Sequence, residues 1–137
     1  MIVVDSSVWI DFFRGAATSA SAVLTKLLEE ATLEIVIPDV VLYEVLRGFR
    51  HERDYRSALH LMRGFSWQSA YSPELALGAA QHYRAMVNQG FTIRSALDVV
   101  IGTFCIEHGY VLLHNDRDFT AMHDLRGLRV WSRDEQF

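Results

Sequence analysis

Residues 2–13 read Ile2-Val3-Val4-Asp5-Ser6-Ser7-Val8-Trp9-Ile10-Asp11-Phe12-Phe13, and the change of character at Asp5 decides the fold. Ile2, Val3 and Val4 are β-branched, with no polar residue between them. That is the pattern of a strand buried on both faces. Ser6-Ser7 is a helix-start signal, and Val8, Ile10, Asp11 and Phe12 begin a short helix that stops near Gly15. A strand, an acid and a helix in succession make the first unit of an α/β fold.

The same alternation repeats outward from this stretch. Ser21–Glu30 carries Val23, Leu24, Leu27 and Leu28 at helical spacing. Leu33–Ile37 reads as a second strand, and Pro38-Asp39 opens a helix with Val41, Leu42, Val45 and Leu46 on its apolar face. A helix is expected over about Asp54–Phe65, then a weak strand near Trp67–Tyr71. Ser72 and Pro73 supply an N-cap and a first helical position for a helix ending at Gly90. Ser95–His108 reads as a helix with Ser95 as N-cap and Gly109 as C-cap. Tyr110–Leu113 is a strand, Asp118–His123 a short helix and Leu128–Trp131 a last strand. Strands alternating with helices predict a parallel sheet covered on both faces, with ligands outside the carboxyl ends of its strands.

The 137 residues fit one domain, half of them are hydrophobic, and no stretch approaches the roughly 20 apolar residues of a membrane span. Acid inside the first apolar run argues against a signal peptide, and a lone Cys105 excludes an internal disulfide. A cytoplasmic protein with no membrane partner is therefore expected. The net charge of −4 disfavours nucleic-acid binding in bulk. Acids that hold metal ions, however, count against that balance. All but one of the 13 basic residues are Arg, which suits phosphate recognition, although codon bias explains the skew equally well.

Asp5 and Asp116 follow the first strand and the strand Tyr110–Leu113, Asp98 lies in the first turn of the Ser95 helix, and Asp118 follows Asp116. Glu44 lies within Val40-Val41-Leu42-Tyr43-Glu44-Val45-Leu46, among core-type residues. Buried carboxylates cost several kcal/mol, on the order of 3–5, unless paired or bound to metal. Each acid alone has a plain structural reading, as a cap, a turn residue or a partly exposed side chain. Together they suit Mg²⁺ or Mn²⁺, which take oxygen ligands and promote phosphodiester hydrolysis.

Four stretches in this order resemble the PIN-domain family, in particular its VapC-type toxins: Ile2–Phe13, VLYEVLRG (41–48), IRSALDVVIGTFC (93–105) and LLHNDRDF (112–119). The resemblance spans Ile2 to Trp131. It implies a three-layer α/β/α sandwich around a parallel sheet, in a single domain over residues 1–137. It implies Asp5, Glu44, Asp98 and Asp116 as catalytic acids holding Mg²⁺ or Mn²⁺, with Asp118 assisting as a ligand. Ser6 and Asn115 match supporting polar positions, and His114 stands where the family more often has Thr or Ala. The implied activity is endonucleolytic cleavage of RNA. The implied partners are a VapB-like antitoxin and a homodimer or toxin–antitoxin hetero-oligomer.

Arg94 and Arg117 are candidate phosphate contacts, or else counter-charges to the acids. The five Arg between Arg47 and Arg63 read as an RNA or antitoxin surface, or as a solvated helix face. Trp9, Phe12 and Phe13 are expected in the core, and Cys105 as a buried thiol. No zinc pattern or Gly-rich phosphate loop is present. A phosphotransfer receiver would need a late-strand Lys, and the one Lys is Lys26. The remaining rivals are a non-catalytic acidic-cleft binding module and a PIN-like nuclease acting on DNA or flaps.

Overall fold

The computed structural model describes residues 1–31 and 33–131; positions 132–137 of the expected domain span lie outside the described residues. Strands β1 (Ile2–Val4), β2 (Ile35–Pro38), β3 (Ser66–Gln68) and β4 (Val111–Leu113) form one parallel sheet in the order β3-β2-β1-β4. Every residue of β1, β2 and β4 is buried, as their unbroken aliphatic runs predict. β3 lies at an edge and only partly buries Ser66 and Gln68, so its sequence carries little hydrophobic signal. It ends before Ala70, short of the expected Tyr71.

The helices are α1 (Ser6–Arg14), α2 (Ser19–Glu30), α3 (Asp39–Leu46), α4 (Glu52–Met62), α5 (Pro73–Asn88), α6 (Ala96–His108) and α7 (Arg117–Arg126). Helix α1 packs on α2 and α3, and α3 on α4, whereas α5, α6 and α7 pack on one another. These two groups flank the sheet in the expected α/β/α arrangement. Thr18 and Ser21 form a reciprocal capping box at the start of α2, and the Ser72 hydroxyl caps α5. Gly109 closes α6 with φ of 68°, a conformation that glycine adopts without a Cβ clash.

Ser95 occupies the N-cap position of α6 as expected, although its side chain makes no capping hydrogen bond. One expectation needs correction. Leu128–Trp131 does not form a strand; Val130 makes a single parallel bridge to Leu112. Two hydrogen bonds, Leu112 N to Arg129 O and Trp131 N to Leu112 O, straddle that bridge. One paired residue beside a three-residue strand is too short to extend the sheet.

Helix α6 is buried from Val99 through Cys105, so it has no solvent stripe over that span. Gly102 permits the close approach of α7, because a Cβ there would collide with the Met122 side chain. The topology fixes where a site can form. From β1 the chain runs to β2 and β3 on one side, then returns to place β4 on the other. The direction reverses between β1 and β4, and the crevice beyond their carboxyl ends is the usual ligand position. Val4 pairs with Leu113 there, and Asp5 N donates to Leu113 O at 2.9 Å. Among the described residues no helix is long and apolar enough to cross a membrane.

Candidate metal centre

Asp5 leaves β1 directly into this crevice and caps α1. Its Oδ2 accepts from Ser7 N at 3.3 Å and from Ser7 Oγ at 2.5 Å. The carboxylate is only 4 % exposed, and burial pushes its pKa up against the lowering effect of these donors. The neighbouring Glu44 charge pushes in the same direction. Buried Ser6 donates from Oγ to Glu44 Oε1 at 2.7 Å, which ties the head of α1 to the middle of α3. Glu44 lies between the core residues Val41 and Val45 of α3 and its exposed face at Tyr43 and Arg47. That boundary position explains a carboxylate within an apolar helix.

The other half of the crevice comes from α6 and α7. Asp116 follows β4 after two residues and caps α7, accepting from Asp118 N at 2.9 Å. Its own amide donates to His114 Nδ1 at 3.0 Å. Asp118 is 6 % exposed and accepts from Arg94 N at 3.0 Å and Ser95 N at 3.4 Å. These bonds hold the two residues that lead into α6. Asp98 then projects from the first turn of α6.

Carboxylate oxygens of Asp98, Asp116 and Asp118 lie within 4.8 Å of one another. Asp98 has its pKa pushed up to about 7, first by burial and then by the charges of Asp5, Asp116, Glu44 and Asp118. The charges of Asp5 and Glu44 thus reach Asp98, but among the described residues the mutual 4.8 Å cluster holds only Asp98, Asp116 and Asp118. Among the described residues the ion pairs are Lys26–Glu30 and Arg56–Glu52, and neither touches these acids. Arg94 and Arg117 are exposed, and neither is within ion-pairing distance of these acids. An oxygen-only donor set, mutually repelling and without a cation partner, fits a hard divalent ion such as Mg²⁺ or Mn²⁺.

Asn115 is exposed beside the crevice and lines a small pocket with His114 and Trp131. Sequence reasoning did not find the roles of Ser7, His114 and the Arg94 and Ser95 amides. The Asp5-Ser6-Ser7 spacing carried a usable signal, since an Asp often binds the amide two residues on. Backbone amides carry none. Burial lowers the His114 pKa against the raising pull of Asp116. As expected, Cys105 is a buried thiol, its pKa raised by burial.

Comparison with known proteins agrees with this architecture. The sequence matches the PIN domain profile over residues 2–125. It is similar to VapC ribonuclease Mb1587 of Mycobacterium bovis, with 28% identity over 96% of this chain and 98% of that protein. Ribonuclease VapC11 of Mycobacterium tuberculosis shows the same identity and coverage. In fold the chain is similar to VapBC2 from Rickettsia felis, solved bound to a DNA fragment from their promoter. The TM-score is 0.74 at 17% identity, covering 96% of this chain and 98% of that one. VapC20 of Mycobacterium tuberculosis, a sarcin–ricin loop cleaving toxin, aligns with a TM-score of 0.63 at 16% identity over 88% of this chain and 94% of that one. The four-stranded parallel sheet, its helical layers and the match over residues 2–125 make this chain a member of the PIN-domain family.

Proposed function

We propose that the chain is a divalent-cation-dependent endoribonuclease acting as the toxin of a toxin–antitoxin pair. The observation that carries this reading is the cluster of Asp98, Asp116 and Asp118 oxygens within 4.8 Å, with the charges of Asp5 and Glu44 also acting on Asp98 and no ion pair to these acids among the described residues. The similarity to proteins named VapC ribonucleases supports RNA as the substrate. Asp98, Asp116 and Asp118 would hold the ion, with Asp5 and Glu44 completing the set. When bound, Mg²⁺ or Mn²⁺ supplies charge neutralisation for the scissile phosphate and lowers the pKa of water at the site.

The chain's own groups do the rest. Glu44, held by Ser6 Oγ, takes the proton of the attacking water as the water oxygen bonds to phosphorus, while the P–O bond opposite it breaks and the leaving oxygen takes a proton from solvent. Ser7 holds Asp5 in its rotamer. Arg94 and Arg117, exposed beside the acids, contact flanking phosphates, and Asn115 supports the same edge. The partner in this reading is a VapB-like antitoxin, as in the toxin–antitoxin complexes to which the fold is similar. The toxin then forms a homodimer or a hetero-oligomer with it.

Purified protein should cut single-stranded RNA with Mg²⁺ or Mn²⁺ and stop on chelation. Asp98→Asn or Asp116→Asn should lower the rate on the order of 10⁴-fold, about 5.5 kcal/mol of barrier. Wild-type rates in either variant, or cleavage indifferent to chelator, would discard the mechanism.

A further inference from the structure

We propose that His114 is a positioning residue of the metal centre, whose Nδ1 receives the Asp116 amide and so fixes the Asp116 carboxylate at the head of α7. The proposal rests on the metal-centre reading above and assigns a role to a side chain that is not itself a ligand there.

The chain has little room between β4 and α7. It must leave the sheet after Leu113 and begin a helix at Arg117, with His114, Asn115 and Asp116 between. Asp116 is the extended residue at this junction, with φ of −114° and ψ of 141°. Its amide belongs to neither element and needs a partner of its own. His114 Nδ1 provides it at 3.0 Å. An amide nitrogen can only donate, so Nδ1 carries the lone pair and the ring proton sits on Nε2. One hydrogen bond thus fixes both the tautomer of the ring and the direction of the Asp116 backbone.

The ring is itself held. It packs on Phe119 with the ring centroids 5.2 Å apart and the planes tilted by 54°, and Phe119 is fully buried in the first turns of α7. The imidazole therefore bridges the end of β4 to α7 through both a hydrogen bond and a ring contact.

Further hydrogen bonds run inward from that bridge. Asp116 Oδ1 accepts from Asp118 N, and Asp118 Oδ2 accepts from the Arg94 and Ser95 amides ahead of Asp98. The chain of bonds holds two of the three clustered acids, Asp116 and Asp118, and ends on the residues just ahead of the third, Asp98. His114 is its outer link, and it can be changed without deleting a carboxylate. Partners that orient metal ligands typically contribute about 10–100-fold in affinity.

The test compares His114→Phe with His114→Asn. The first keeps a ring against Phe119 but has no acceptor. The second places Oδ1 close to where Nδ1 stood. Mn²⁺ binding to the purified protein is read by electron paramagnetic resonance, alongside the melting temperature without metal. His114→Phe is expected to weaken Mn²⁺ binding about tenfold, and His114→Asn to restore it to within about threefold of wild type. Equal weakening in both variants overturns the acceptor role. Wild-type affinity in His114→Phe, alongside lost binding in Asp98→Asn, overturns this proposal alone. Unaltered binding in Asp98→Asn overturns the metal-centre reading and this proposal together. If His114→Phe does not fold, ¹⁵N NMR of the wild-type ring decides. An Nε2–H tautomer supports the bond, and an Nδ1–H tautomer overturns it.

Discussion

The two ends of α1 solve opposite problems with consecutive residues. At its head, Asp5, Ser6 and Ser7 face a crevice of carboxylates, where burial and like charge raise the energy of the folded chain. One turn later, Trp9 is wholly buried and stacks on Phe13 at 5.9 Å between ring centroids. Phe12 and Phe65 close in on Trp9 at 6.3 and 6.0 Å, and Phe49 packs on Phe13 at 5.7 Å. Desolvating a ring is favourable, whereas desolvating a carboxylate without a partner is not. A nine-residue helix is thus anchored by its apolar end while its polar end is held in an unfavourable setting. The aromatic end supplies the stability that the acidic end draws down.

That contrast is broken most sharply by crossing the two properties. Trp9→Ala should lower stability by about 3–5 kcal/mol, roughly 10–20 °C in melting temperature, because a fully buried ring leaves a cavity. RNA cleavage per folded molecule at low temperature should stay near wild type. Asp98→Asn should do the reverse, abolishing cleavage while raising the melting temperature of the metal-free protein. Calorimetry paired with a cleavage assay checks both. A Trp9→Ala protein that melts normally, or an Asp98→Asn protein that melts lower without metal, would remove the contrast.

Legibility in the sequence followed burial. β1, β2, β4 and α6 were readable because structure on every side of them demands unbroken apolar runs. β3 and the Val130 bridge lie at the sheet margins, where half-exposed residues replace that signal. The acids were legible one by one as residues just past strands or in first helical turns. Their convergence was not, since no spacing connects Asp5 to Asp98. It came from the parallel-sheet rule and from four motifs in a familiar order. The Asp118 bonds to the Arg94 and Ser95 amides had no sequence trace, because every residue but proline offers the same donor.

A smaller effect follows from pH at the acidic end. The Asp98 pKa rises from 3.8 in the unfolded reference to about 7 in the folded protein, and that of Asp5 is raised too. Between these values the folded protein holds protons that the unfolded chain has released. Metal-free stability therefore falls as pH rises from about 4 to about 7, and levels off above. Asp98 is only partly buried, so solvent screening limits its part to on the order of 1 kcal/mol, about 3–5 °C. A divalent ion binds the deprotonated set, so Mn²⁺ should restore most stability at the alkaline end. Melting scans from pH 4.5 to 8 in chelator and in Mn²⁺ test this, and Asp98→Asn should flatten the chelator series. A metal-free melting temperature that climbs across that window would contradict the raised values.

The smallest effect belongs to the aromatic end and asks how tightly it is built. Trp9 Nε1 is buried with no hydrogen-bond partner among the described residues. An unmet donor costs about 1–3 kcal/mol, which offsets part of what the indole gains by burial. Trp9→Phe removes that donor and also removes ring volume, which leaves a small cavity. The two changes oppose each other, so stability should move by no more than about 1 kcal/mol, against about 3–5 for Trp9→Ala. Denaturant unfolding resolves a difference of this size when the slope is unchanged. A loss comparable to that of Trp9→Ala would mean that the nitrogen has a partner, or that the packing among Phe12, Phe13 and Phe65 requires the full indole. Cleavage should be unaffected by Trp9→Phe, because the helix head is held separately by Ser6 on Glu44 and by Ser7 on Asp5.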